Sequence, residues 1–251
     1  MEFWVLGSGT CVPTAERGPS GAVLAFPPHL LFFDGGSGSL HQMARIGLDF
    51  RRIDFFCLSH FHPDHVADLV PFLFATNYTP DFIRTLPLNL IGPPGLRKFY
   101  DQLCEIYGHW IEAQTYPLKI LETEEGATSF PDLELEVLPV AHSTTSSIGF
   151  RVNSEGQVVT YSGDTDYCKN IVKLGRNSDL LILECSFPEE RRKKGHLTPL
   201  LAGKIAREAS CKKLLLTHFY PLFQGHDILK ECRKEFPGEI ILAQDGMRIP
   251  L

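Results

Sequence analysis

The densest group of chemically active side chains in this sequence is the segment 59–65, Ser-His-Phe-His-Pro-Asp-His. It follows the apolar run 55–58 and places three imidazoles and one carboxylate within six residues. Imidazole and carboxylate together favour borderline divalent ions such as zinc. Pro63 cannot continue a strand, and it restricts His62 to extended geometry, so the chain must turn here. The segment predicts metal-binding residues at the end of a strand.

One such cluster supplies too few ligands for two metal ions, so further ligands are expected at other strand ends. His142 follows the strand-like run 133–140, Asp164 follows 157–162, and His218 follows 213–217. Each of these residues taken alone would be read as a loop residue that caps its neighbours. Three ligand-type residues at three exits from apolar strands favour the metal-site interpretation instead.

The elements that must position these residues are short strands alternating with helices. Apolar runs bounded by Gly and Pro predict strands at 2–7, 21–25, 29–33, 53–59, 88–91, 133–140, 148–152, 157–162, 180–184 and 213–217. Helical spacing predicts helices at 37–46, 66–77, 96–107, 167–174 and 200–209. This order is typical of layered sheets with helices outside. No Pro/Gly/Ser-rich linker divides the chain, so we expect a single domain over residues 1–251.

Composition narrows the class of protein. The chain has 251 residues, 43% of them hydrophobic and 22% charged, as in ordinary globular proteins. No window approaches the ~18–20 uninterrupted apolar residues that cross a bilayer, and the N-terminus lacks the basic region of a signal peptide. Seven widely spaced cysteines without a Cys-x-x-Cys motif favour reduced thiols. We therefore expect a cytoplasmic protein without membrane partners. The net charge of −6 argues against a surface built to grip a long nucleic acid.

The order of the motifs resembles the metallo-β-lactamase superfamily of binuclear metallohydrolases. The order is His-x-His-x-Asp-His at 60–65, a lone His142, Gly-Asp-Thr at 163–165 and Thr-His at 217–218. The ribonuclease Z branch is the closer match, and further segments resemble its motifs at 6–14, 33–38, 183–187 and 195–198. This resemblance implies an α/β fold, a four-layer αββα sandwich, with the metal cleft at one edge between the two sheets.

The resemblance also implies an assignment of the ligands. It predicts one ion held by His60, His62 and His142, a second ion held by Asp64, His65 and His218, and Asp164 bridging the two. Two divalent ions are expected, zinc by default, although the same ligands accept manganese or iron. A metal-bridging hydroxide would attack the substrate. Asp64 has a second candidate role, orienting the attacking water as a base.

His196, in Gly195-His196-Leu197-Thr198, is the further catalytic candidate. We hypothesise that it donates to a phosphate oxygen or protonates the leaving group, and that Glu184 fixes its tautomer. The alternative is that His196 or Thr198 only caps the following helix.

The sequence departs from the ribonuclease Z branch at two places that concern the substrate. The branch's Pro-x-Lys-x-Arg-Asn loop reads Pro-Thr-Ala-Glu-Arg-Gly at 13–18, and only 22 positions separate His142 from Asp164, where a long tRNA-binding arm is inserted in bacterial members. Both differences argue against precursor tRNA. We expect a phosphodiesterase acting on a single-stranded RNA 3′ end, a cyclic nucleotide or a small phosphodiester. A homodimer is expected only because the branch usually forms one.

Three other functions remain open at this point. A lactonase or arylsulfatase would use the same metal site on a different bond. A di-iron redox protein would use the same scaffold, but the sequence has no rubredoxin-like cysteine motif. A non-catalytic scaffold or RNA-binding subunit would have lost ligands, whereas every ligand position here is filled.

Overall fold

The computed structural model describes residues 1–142, 146–223 and 225–251, and the strands within these ranges form two sheets. The first sheet has the spatial order β14 (Arg248–Pro250), β1 (Glu2–Gly7), β2 (Gly21–Phe26), β3 (His29–Gly35), β4 (Phe55–Cys57), β5 (Leu88–Gly92) and β6 (Leu118–Glu122). The second has the order β13 (Glu239–Leu242), β12 (Lys213–Thr217), β11 (Leu180–Glu184), β10 (Gln157–Tyr161), β9 (Ile148–Ser154), β8 (Leu133–Pro139) and β7 (Gly126–Phe130). The helices are α1 (Ser39–Arg45), α2 (Pro63–Val66), α3 (Leu69–Tyr78), α4 (Leu96–Tyr107), α5 (Lys169–Leu174), α6 (Pro199–Ala209) and α7 (Ile228–Arg233).

The layering follows from strands that are apolar on both faces. In β3, Phe33 points to the second sheet, with its ring centroid 5.6 Å from Phe150 and 5.1 Å from Tyr161. Its neighbour Phe32 points the other way and stacks on Phe56 at 4.3 Å, on the side covered by α3. Successive side chains of a strand alternate between its faces, so each sheet is buried against the other sheet and against helices. The structure confirms the predicted αββα sandwich.

Strand direction brings the candidate site residues to one edge. Strands β3 to β6 run parallel in the first sheet, and β10 to β13 run parallel in the second. Strand β8 is antiparallel to β9, and β9 is antiparallel to β10, so β8 ends at the same edge as β10. The backbone N–H of Ile148 donates to the carbonyl of Ser59 at 2.9 Å and joins the two sheets there. The chain segments that follow β4, β8, β10 and β12 therefore meet.

The helix predicted at 66–77 begins three residues later, as α3 from Leu69, and α2 is a separate helical turn that ends at Val66. Asp68 lies at the break: its backbone N–H donates to the carbonyl of Gly35 at 2.7 Å. Its carboxylate accepts hydrogen bonds from the backbone N–H groups of Gly38 and Leu40. Asp68 thus forms hydrogen bonds with the end of β3 and the start of α1, and α2 and α3 do not join into one helix.

Five elements were not predicted: β6, β7, α7, β13 and β14. They lie at the sheet edges or near the end of the chain, and several of their residues are half-buried or exposed, which weakens the apolar signal. Across the described parts of the chain, no helix combines the length and apolar character that membrane crossing requires.

Candidate metal centre

The segment after β4 turns as the proline predicts. His60 is buried directly beyond the strand, and His62 is extended (φ −67°, ψ 148°) as the residue before α2. Pro63 occupies the first position of α2, where its fixed φ suits the helix and its missing N–H is not needed. Asp64 and His65 follow within that first turn. A strand exit and one helical turn therefore hold four of the predicted ligands.

The first group of predicted ligands comprises His60, His62 and His142, with Asp164. Nε2 of His60 lies 2.9 Å from Nδ1 of His62, and Nε2 of His142 lies 3.2 Å from that same Nδ1. Oδ2 of Asp164 lies 3.9 Å from Nε2 of His60 and 3.7 Å from Nε2 of His142. Nε2 of His60 and Nε2 of His142 thus lie within 4 Å of one carboxylate oxygen, and His62 contacts both of these nitrogens.

The second group comprises Asp64, His65 and His218, and it faces the other oxygen of Asp164. Oδ1 of Asp164 lies 3.4 Å from Nε2 of His65 and 3.4 Å from Nε2 of His218. Oδ2 of Asp64 lies 3.4 Å from Nε2 of His218. The backbone of His218 has φ 60°, a left-handed conformation that a non-glycine residue adopts only where its surroundings enforce it.

The donor atoms fit a divalent cation. In each of the sets His60, His62, His142, Asp164 and Asp64, His65, His218, one ligand atom per residue lies within 4.8 Å of all the others. Oδ1 of Asp164 is buried without a hydrogen-bond partner among the described residues. Burying a charged oxygen in this way is costly unless it is paired, and a coordinated cation would supply the missing partner.

Partners behind the ligands fix the histidine tautomers. Nδ1 of His65 donates to Asp34 at 2.8 Å, and Nδ1 of His142 donates to the carbonyl of Gly195 at 2.8 Å. Nδ1 of His60 lies 3.0 Å from the hydroxyl of Ser59. Because that hydroxyl donates its own proton to Asp34, its oxygen accepts a hydrogen bond from Nδ1 of His60. In these three rings the contact at Nδ1 leaves Nε2 facing Asp164, and Nε2 is the atom with which a neutral ring would bind a cation.

Burial and charge set the ionisation of the centre. Burial lowers the pKa of His60 well below its ordinary value, and the neighbouring His65 lowers it further, so the His60 ring is neutral. Burial alone would raise the pKa of Asp164, but His218 and His65 hold it well below its ordinary value. Asp164 is therefore a carboxylate, the form in which it can coordinate a cation.

His196 and Glu184 form a pair at the border of this centre. Nδ1 of His196 donates to Oε1 of Glu184 at 2.9 Å, and the His196 ring centroid lies 4.9 Å from that of His142. Burial alone would lower the pKa of His196, but the hydrogen bond with Glu184 and the negative charges of Glu184 and nearby aspartates together raise the pKa above its ordinary value. The hydroxyl of Thr198, and not His196, accepts the capping hydrogen bond of α6 from Leu201.

A third group of potential ligands joins Glu184 and His196 to His142 and Asp164. The oxygens of the Glu184 carboxylate already accept hydrogen bonds from other groups of the protein. In addition to the His196 bond, it accepts hydrogen bonds from the backbone N–H groups of Thr165 and Leu197 and from the hydroxyl of Ser186. These four donors satisfy its oxygens, so we assign Glu184 no metal.

Sequence reasoning missed Tyr161, Ser59 and Ser186, which support the centre from behind. The hydroxyls of Tyr161 and Ser59 both donate to Oδ2 of Asp34 at 2.8 Å. The hydroxyl of Ser186 lies 3.0 Å from Nδ1 of His218. The only available signal was position, since each of these residues lies at or just beyond the carboxyl end of an apolar strand.

The chain matches a known protein family over most of its length. Residues 29–219 match the Beta-lactamase superfamily domain. This chain belongs to the beta-lactamase superfamily. The matched range contains every predicted metal ligand from His60 to His218.

Relatives from this superfamily match nearly the whole chain. Ribonuclease Z of Myxococcus xanthus is 28% identical over an alignment of 310 residues, which covers 100% of this chain and 98% of the relative. The metallo-β-lactamase fold protein YhfI from Bacillus subtilis superposes with a TM-score of 0.84 at 25% identity, covering 99% of this chain and 98% of that chain. Human tRNase Z, short form, superposes with a TM-score of 0.80 at 26% identity, covering 100% of this chain and 99% of that chain. The chain is thus a ribonuclease Z-like, metal-dependent hydrolase of this superfamily.

Proposed function

We propose that the chain is a binuclear phosphodiesterase. The observation that carries the proposal is Asp164, because its two carboxylate oxygens face two different groups of histidines at 3.4–3.9 Å. His60, His62 and His142 would hold one ion, Asp64, His65 and His218 would hold the other, and Asp164 would bind both. Zinc fits this donor set, and manganese or iron would be accepted as well.

When bound, such ions supply Lewis acidity, which makes water nucleophilic at neutral pH and neutralises charge on phosphoryl oxygens. The remaining roles belong to side chains of this chain. The Asp64 side chain is 13% exposed at the mouth of the centre, where its carboxylate accepts a hydrogen bond from the N–H of Cys11 at 3.3 Å and can orient water. Glu184 holds Nδ1 of His196, which leaves Nε2 to donate to a phosphoryl oxygen or to protonate the leaving oxygen.

The substrate class rests on the relatives and on the two departures in the sequence. The names ribonuclease Z and tRNase Z support an RNA phosphodiester as the bond that is broken. The altered loop 13–18 and the short separation of His142 from Asp164 favour a single-stranded RNA 3′ end, a cyclic nucleotide or a small diester over folded precursor tRNA. Because both sheets contribute ligands, we propose that residues 1–251 act as one hydrolase domain. The homodimer stays a prediction, which sedimentation analysis would check.

The test is hydrolysis of bis(p-nitrophenyl) phosphate by protein reconstituted with zinc or manganese, with bound metal measured in the same samples. We expect two ions per chain and turnover that is lost in Asp164→Ala. Asp101→Ala removes an exposed carboxylate from α4 and serves as the matched control, which should retain turnover. Absence of turnover from protein with two bound ions would contradict the phosphodiesterase and direct the search to lactones and sulfate esters.

A further inference from the structure

A pocket of about 610 Å³ opens beside the metal centre, with His142 and Gly195 in its wall. His142 therefore belongs both to the first group of ligands and to this pocket. We infer that the pocket binds a second phosphate of the substrate, distinct from the phosphate that is hydrolysed. The inference rests on the proposed function, since it assumes that a phosphodiester is cleaved at the centre.

The charge of the pocket is opposite to that of the protein. The chain carries a net charge of −6, yet four consecutive basic residues, Arg-Arg-Lys-Lys at 191–194, lie exposed immediately before Gly195. Arg192 and Lys194 of this run line the pocket, and Lys204 of α6 lines it as well. A local excess of cations beside a reaction centre attracts an anionic ligand and raises its local concentration.

Two of the three cations are available to a ligand. Arg192 is paired with Asp166, at 3.2 Å between Nη2 and Oδ1, and that carboxylate also accepts a hydrogen bond from the N–H of Gly195. Within 1–142, 146–223 and 225–251, by contrast, neither Lys194 nor Lys204 has a carboxylate oxygen within 4.0 Å of its ammonium. The pocket therefore holds one neutralised arginine and two unpaired lysines.

The position of Lys204 is fixed by an aromatic ring. Its Nζ lies 4.6 Å from the ring centroid of Tyr167, and the hydroxyl of Tyr167 donates to Glu208 at 2.7 Å. A cation over an aromatic face is held there without losing its charge. Lys204 is therefore placed before a ligand arrives, which reduces the entropy that binding would cost.

The pocket adjoins the candidate metal centre through a shared residue. Its wall includes His142, a member of the first ligand group, and Gly195, whose carbonyl accepts a hydrogen bond from Nδ1 of His142. The volume lies within the range of ligand sites and admits a phosphate together with a sugar. Lysine binds phosphate as a point charge and imposes little geometry. The geometry thus points to an oligonucleotide end or a nucleotide diester with a terminal phosphate, rather than to a diester with only one anionic group.

The experiment compares dinucleotides with and without a terminal phosphate. The zinc- or manganese-loaded protein is assayed on UpU, on UpU phosphorylated at its 5′ end and on UpU phosphorylated at its 3′ end. We expect one terminal phosphate to raise kcat/KM by about tenfold or more, as charge-assisted hydrogen bonds of this type do. In the double variant Lys194→Gln/Lys204→Gln, the ratio of kcat/KM with a terminal phosphate to kcat/KM without one should fall to about two or less. Because the preference is a ratio measured within one variant, a general loss of activity does not affect it.

Lys98→Gln/Lys119→Gln is the matched control. It removes the same charge from exposed positions on α4 and β6 and should retain the preference. Equal kcat/KM for all three dinucleotides in the unmodified protein, or a preference that survives in Lys194→Gln/Lys204→Gln, would overturn the inference and leave the proposed function standing.

A binding measurement separates failure of the pocket from failure of the proposed function. Titration calorimetry on the metal-loaded protein compares adenosine 3′,5′-bisphosphate with adenosine 5′-monophosphate. We expect the bisphosphate to bind more tightly, and this difference should disappear in Lys194→Gln/Lys204→Gln but not in the control. If no dinucleotide is cleaved but this difference is present and lysine-dependent, the phosphodiesterase proposal fails and the anion pocket is supported. Equal affinity for the two nucleotides would overturn the pocket.

Discussion

Oδ2 of Asp34 lies 2.8 Å from Nδ1 of His65, and both side chains are fully buried. Asp34 belongs to β3 of the first sheet, yet the same oxygen also accepts from the hydroxyl of Tyr161, at the end of β10 in the second sheet. One carboxylate oxygen therefore ties a candidate ligand to both sheets. The orientation of His65 depends on how the sheets pack, so the integrity of the sandwich and the geometry of the centre are coupled.

Asp34→Asn should weaken metal binding at the group that contains His65. The Asp34 carboxylate accepts three hydrogen bonds at Oδ2 and a fourth at Oδ1 from the N–H of Ser59. The amide keeps one acceptor oxygen, so its NH₂ group must oppose the N–H of either Ser59 or His65, and the support that orients the His65 ring is weakened. Loss of such a partner behind a ligand typically lowers metal affinity by about 10–100-fold. Competition with a chromophoric zinc chelator measures this affinity.

Asp54→Asn is the matched control for that variant. It alters another Asp–His pair, Asp54 with Nδ1 of His29 at 2.5 Å, at the amino end of β4 and away from the centre. We expect its metal affinity to match that of the unmodified protein. Equal affinities for Asp34→Asn and Asp54→Asn would show that the Asp34 contact does not support the ligand.

Which site residues and strands can be predicted from the sequence depends on whether they follow or form a clearly apolar run. His142, Asp164 and His218 were predictable because each follows an apolar strand, and the parallel order of strands brings such positions together. Strand β6 was not, because its half-exposed residues at a sheet edge carry little apolar pattern. Tyr161 was not identified as a partner of Asp34 because that contact joins residues 127 positions apart. Periodicity within a strand reports which face is buried but not which residue lies across the interface.

His196→Ala should lower kcat by about 10²–10⁴ if the ring donates to the substrate in the transition state. Its metal content should remain that of the unmodified protein, since Nδ1 of His196 binds Glu184 rather than a group of ligands. His226→Ala removes a histidine that belongs to none of the ligand groups and is paired with Glu190 at 3.2 Å, and this variant should keep its kcat. Steady-state rates and metal analysis on the same preparations check both expectations. A kcat for His196→Ala within a few fold of the unmodified value would reject the catalytic role.

Glu184→Gln tests whether Glu184 acts through His196. The amide cannot hold the Nδ1 proton as the carboxylate does, so kcat should fall in the same direction as in His196→Ala. The double variant should be no slower than His196→Ala alone, because two residues that act as a unit do not add. Rates measured for the four proteins of this cycle decide the question. Additive losses would mean that Glu184 supports the centre by another route, such as its hydrogen bond from Thr165.

Gly163→Ala should disturb both stability and the centre, because Gly163 precedes Asp164 and has φ +57°. A Cβ at this position would lie 2.5 Å from Cβ of Ser59, so the backbone strain is joined by a clash between the two sheets. Gly156→Ala is the matched control: Gly156 has φ +78°, and a Cβ there would meet nothing within 4 Å. For Gly156→Ala the free energy of unfolding should fall by about 1 kcal/mol from backbone strain alone. For Gly163→Ala the clash should add about 1–3 kcal/mol, and zinc affinity should fall with it. Urea denaturation and zinc titration of both variants measure these effects, and equal losses in the two would show that Ser59 gives way without moving Asp164.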